Sequence, residues 1–154
     1  MKHWLFYGLL TACILLFGGL PFESHDVGKL RPVETIFCQV REGTFCLETD
    51  TGDRGMGPDW EHAWKDLQGK APGTVFLGTA SYVLLDGESE LPEVLKQNLN
   101  PSCGLCLWHG DGDLSSAGAY LRAHEPRETL RTERAKPGNL QTLVKREGGY
   151  LLVQ

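Results

Sequence analysis

Cys103 and Cys106, separated by Gly104 and Leu105 and followed by His109, are the residues whose types and spacing come nearest to chemistry. A Cys-x-x-Cys pair exchanges disulfides when its first thiolate sits at a helix N-terminus, where the dipole lowers the thiol pKa. Here the pair lies within an apolar run, residues 103–108, that reads as a strand. The next helix starts only beyond Leu107, Trp108, His109 and a glycine turn. Strand residues three apart face opposite sides of a sheet, so a buried strand is the expected setting and a redox dithiol the alternative. Cys103, Cys106 and His109 also have zinc-like spacing. A closed zinc site takes four ligands, and His62 or His124 would have to supply the last from afar, so no metal is expected.

Other candidates reduce to structural duties. Asp50, Asp53, Asp111 and Asp113 resemble calcium ligands, but Glu125 comes too late to close an EF-hand loop, which leaves turns and helix caps. Ser81, Ser115 and Ser116 lack a glycine-framed nucleophile elbow. The glycines at 52, 55 and 57 do not follow the dinucleotide fingerprint. No cofactor and no catalytic residue are therefore assigned. Trp108, His109 and Asp111 lie where a strand ends beside a glycine turn, the end of the strands at which open α/β sheets place ligands. They form the candidate binding surface.

The elements that must position these residues follow from periodicity. Residues 33–40 and 44–49 read as a hairpin turning at Glu42 and Gly43, and residues 50–58 as a glycine-rich loop. Asp59 caps a helix whose buried face is Trp60, Ala63, Trp64 and Leu67. Residues 74–77 and 82–85 are strand, 90–99 helix, and 103–108 strand. Asp113 caps a helix to about His124, with Leu114, Ala117 and Leu121 inward. An irregular charged segment lies between Pro126 and Pro137, a short helix near 140–145, and a closing strand over 150–154. The expected fold is α/β: a single small domain with a mixed sheet, an N-terminal hairpin plus β-α-β-α-β units.

The four downstream cysteines are expected to be free thiols. Matching apolar faces across the hairpin pairs Cys38 with Leu47 and Val40 with Phe45, which turns Cys46 to the face opposite Cys38.

Ahead of this domain, residues 4–22 carry no charge and follow Lys2. At about 1.5 Å per residue the run reaches roughly 28 Å, enough to cross a hydrocarbon core. The positive-inside rule then exports everything downstream. An uncleaved anchor is the leading reading. Lipidation at Cys13, in the lipobox Leu10, Thr11, Ala12, Cys13, and a cleaved signal peptide are the others. The chain thus divides into a signal or anchor segment (1–22), a tether (23–32) and an extracytoplasmic domain (33–154), placed at the cell membrane. The chain carries 20 acidic residues against 15 basic, and setting Lys2 aside takes its charge from −5 to near −6. That sign disfavours nucleic acid as a partner.

The lipobox ending at Cys13, the amphipathic stretch 60–68 leading into Thr74, Val75, Phe76 and Leu77 and their extension to Gly87, and the helix–strand–helix succession over 91–124 resemble the N-terminal domain of the germinant-receptor C-subunit lipoproteins of spore-forming bacteria, the Ger(x)C family. That resemblance implies a non-enzymatic partner of a membrane receptor in the germination or sporulation machinery. It carries over one residue, Cys13, as a lipidation site. The expected function is accordingly a membrane-tethered extracytoplasmic interaction domain with a protein partner at the membrane. A thiol–disulfide oxidoreductase using Cys103 and Cys106, and a small-ligand binding domain, are the alternatives.

Overall fold

The computed structural model describes residues 27–87, 91–135 and 139–154. Among these the chain is a mixed α/β protein built on a seven-stranded mixed sheet. In chain order the elements are β1 (Leu30–Pro32), β2 (Thr35–Arg41), β3 (Thr44–Thr49), β4 (Arg54–Gly57), α1 (Trp60–Lys70), β5 (Thr74–Phe76), β6 (Tyr82–Leu85), α2 (Glu93–Lys96), β7 (Gly104–Trp108), α3 (Leu114–Ala123), α4 (Leu130–Ala135), β8 (Thr142–Arg146) and β9 (Gly149–Val153). The main sheet runs β4-β3-β2-β6-β7-β8-β9. Its central strands β2, β6, β7 and β8 are parallel, and antiparallel hairpins close both edges. The pairing of β2 with β3 follows the apolar match read from sequence, with Cys38 opposite Leu47 and Val40 opposite Phe45.

Central parallel strands bury both faces, and here each face has its own helix cover. On one face Ile36, Cys38, Leu47, Val83, Leu85 and Leu105 pack against Ala63 and Leu67 of α1, Leu95 of α2 and Leu130 of α4. On the other, Phe37, Leu84, Cys106, Trp108 and Leu143 pack against Leu114, Ala117 and Leu121 of α3. The α1 cap is as expected: the Asp59 carboxylate accepts from the His62 backbone N–H at 2.9 Å. Gly55 of β4 lets α1 lie directly on the strand, because a Cβ there would overlap the Ala63 carbonyl oxygen and the Leu67 side chain. A second close approach joins α3 to β2, where a Cβ at Gly118 would overlap Thr35 Oγ1. The Arg122 guanidinium of α3 donates twice to the Glu34 carboxylate.

Several expectations are corrected. Leu30–Pro32, assigned to the tether, is strand β1, paired in parallel with β5 as a small separate sheet. The glycine-rich loop contains β4, whose backbone pairs with β3. The helix expected over 90–99 contracts to Glu93–Lys96, because Pro92 holds extended backbone at its start (ψ 133°) and the Asn98 side-chain amide donates to the Val94 carbonyl. Its expected cap, Ser89, lies outside the described residues. The charged segment before Pro137 holds α4, started by reciprocal hydrogen bonds between Thr129 and Thr132. The short helix near 140–145 is instead strand β8, which satisfies its backbone against both β7 and β9. Local propensity there yields to the two open ladders on either side. Residues 1–22, with Cys13, lie outside the described residues; among the described ones no helix is long and apolar enough to cross a membrane.

The glycine contacts make a paired prediction. Gly55→Ala is expected to destabilise by about 1–3 kcal/mol, since neither backbone nor Leu67 Cβ gives way cheaply. Gly69→Ala, on the exposed end of α1 with nothing near the added methyl, is expected to stabilise by about 0.5–1 kcal/mol. Urea unfolding of the two variants checks both signs.

Candidate functional site

The hairpin pattern places two rows of side chains on the α3 side of β2, β3 and β4. Phe37, Glu48 and Arg54 form one row; Gln39, Cys46 and Met56 form the next. Arg41 and Thr44 pair at the open end. Helix α1 covers the opposite face of these strands, through Leu47 and Gly55. On their α3 side a cleft of about 220 Å³ opens, lined by these residues together with Trp108, Gly110, Gly112 and Leu114. It lies at the carboxyl ends of β2 and β7, where the chain leaves the sheet for α3.

Trp108 is 2% exposed and packs against Phe37 with ring centroids 4.7 Å apart. Its indole Nε1–H has no hydrogen-bond acceptor, and the Oε1 of Gln39, a residue 7% exposed, has no donor. Buried polar atoms are nearly always paired, so two orphans lining one cleft mark it out. Its charges are unequal. Arg54 donates to Glu48 at 2.7 Å, whereas Arg41 has no carboxylate partner among the described residues. The turn that forms the cleft's upper wall depends on Gly110 and Gly112, both at positive φ (76° and 122°). Asp113 caps α3 by accepting from the Ser116 hydroxyl and backbone N–H at 2.8 Å each, and these bonds hold its carboxyl below the usual carboxylate range.

The residues singled out from sequence fare differently. Trp108 stands in the cleft. His109 points away, exposed, with Nδ1 3.5 Å from Asp86 Oδ1. Asp111 belongs to a shallow open depression with Lys145, Arg146 and Glu147 of the β8–β9 turn. The expected surface is therefore divided. Gln39, Arg41, Cys46, Glu48, Arg54 and Met56 replace its other members. They were not identified as site residues because the polar side of a hairpin ordinarily meets solvent; the alternation that turns Phe37, Gln39 and Arg41 to one face was the available signal.

The dithiol is taken apart by the strand. Cys103 packs in the core on the α1 side and Cys106 on the α3 side. All four described cysteines are free and buried. Burial pushes the thiols of Cys103 and Cys106 up to about 12, the nearby Cys103 adding to the shift of Cys106. Burial raises Cys38 and, less completely, Cys46 as well. A low-pKa attacking thiolate is thus absent from the described residues. Nor do any three His, Cys, Asp or Glu side chains gather as metal ligands among them. Asp50 instead accepts from the Glu34 N–H, Asp53 pairs with Arg31 at 3.2 Å, and His62 bonds its cap residue Asp59. The Trp60 and Trp64 rings pack against the core, Trp60 edge-on to Phe45 at 4.9 Å.

No protein-family model matches the chain, and no curated protein or solved structure matches it.

The raised thiols fix a pH dependence. Below pH 9 folded and unfolded chains both hold these protons. As pH rises from 9.0 toward about 12, the unfolded chain releases them while the fold retains them, so stability falls. The expected slope is about 1.4 kcal/mol per pH unit for each thiol. Cys106→Ala should reduce the slope by one proton; urea titrations at stepped alkaline pH measure it.

Proposed function

We propose that this chain is an interaction domain held at the outer face of a membrane by residues 1–22, acting by contact rather than covalent chemistry. From the likeness to the germinant-receptor C-subunit lipoproteins, we place it in a germination or sporulation apparatus with a protein partner at the membrane. The observation that carries the contact reading is the α3 side of β2–β4, a built binding end with an unpaired arginine and two orphaned polar atoms.

Other features support it. The thiols sit in the core at raised pKa, which disfavours the oxidoreductase alternative. Folded structure already begins at Leu30, so little chain separates it from the apolar segment. Residues 23–29, even fully extended, reach at most about 25 Å. A domain on so short a lead meets membrane neighbours at high effective concentration, and a weak interface then suffices.

A C-terminal epitope tag tests this reading. The tagged chain is expected in the membrane fraction and open to external protease, while a variant lacking residues 1–22 is expected to be soluble and folded. Recovery of the tagged full-length chain from the cytosol contradicts it.

A further inference from the structure

We propose that the cleft between β2–β4 and the start of α3 binds a small organic anion: a carboxylate of a few heavy atoms with an O–H or N–H beside its carboxyl group. This ligand class deepens the contact reading and rests on it in taking this end of the sheet as the binding end.

The site's unmet hydrogen bonds define what it takes. Trp108 Nε1–H is a donor without an acceptor, and Gln39 Oε1 an acceptor without a donor. Leaving such groups buried and unpaired is costly. A ligand that satisfies both must accept at one atom and donate at another. Both side chains are held in place, Trp108 by Phe37 and Gln39 by its row on the hairpin, so the two demands are fixed in space.

Charge supplies the sign. Arg41 Nη2 lies 3.7 Å from where a Cβ on Gly110 would stand. That guanidinium has no carboxylate partner among the described residues, while the cleft's other cation, Arg54, is engaged by Glu48. One unmatched cation in a chain of net charge −5 favours an anion in this place. Arginine and the indole N–H together offer donors to a carboxylate. Gln39 then takes the hydrogen of the neighbouring O–H or N–H. Sulfate, which carries no hydrogen, would leave Gln39 unmet.

Size limits the rest. A volume of about 220 Å³ equals about seven waters and lies below the roughly 300–1,000 Å³ of pockets for larger ligands. The missing side chain at Gly110 keeps this space open, since a Cβ there would stand 3.3 Å from Phe37 Cε1.

The test is a titration of the full-length chain in detergent micelles with glycolate, acetate and sulfate as probes. The readout is the Trp108 indole ¹H–¹⁵N signal, identified by its loss in Trp108→Phe. Glycolate is expected to shift it saturably, with acetate weaker and sulfate without saturable effect. Arg41→Gln, a change at an exposed side chain, should weaken glycolate about tenfold or more and leave the remaining spectrum in place. No saturable shift with glycolate, an equal response to sulfate, or an undiminished response in Arg41→Gln would overturn the assignment. Because the titration reads only the cleft, its failure leaves the tethering reading standing, and a cytosolic tag with an intact glycolate response sinks only the tethering.

Discussion

Unequal helix cover on the two faces of one sheet governs this molecule. Strands β6 and β7 are buried from both sides, so every residue from Tyr82 to Leu85 is buried, and Gly104 to Trp108 nearly so. Strands β3 and β4 have α1 on one side only. That asymmetry comes from small residues at chosen positions. Gly55 admits α1 onto β4, and Gly118 admits α3 onto the start of β2 at Thr35. With α3 seated over β2, β6 and β7, the far strands of the hairpin are left with polar side chains on their α3 side. The cleft is the step between the covered and uncovered parts.

The same burial decides what the cysteines are. A dithiol motif in a loop before a helix would be exposed and electrostatically activated. In β7 the alternation of the strand sends one sulfur to each core, and desolvation raises both. Cys38 follows the same logic on β2, packed among the apolar residues under α1. These thiols are small apolar parts of the packing, a common role for buried free cysteine.

Much of this was legible in the residues, for identifiable reasons. The register of the first hairpin followed from apolar matching, the caps of α1 and α3 from Asp59 and Asp113, and the division of Cys103 from Cys106 from the two-residue period of a strand. What escaped reading depended on distant partners. Leu30–Pro32 is strand because β5 comes beside it, and Thr142–Arg146 because β7 and β9 flank it; neither segment announces this locally. The cleft was half legible. Trp108 was marked by its place at a strand end, but Gln39 and Arg41 acquire meaning only once α3 is seen to stop short of the hairpin. His109 and Asp111 shared the turn with Trp108 and were separated from it by the direction each side chain takes.

Hydroxyl-radical footprinting with residue-level mass spectrometry tests this asymmetric cover most directly. Met56, 54% exposed on the uncovered side of β4, is predicted to oxidise rapidly, while Trp108, Cys103 and Cys106 stay protected until the chain is unfolded. Rapid oxidation of Trp108 or Cys106 in the native chain, or protection of Met56 in the isolated protein, would contradict it.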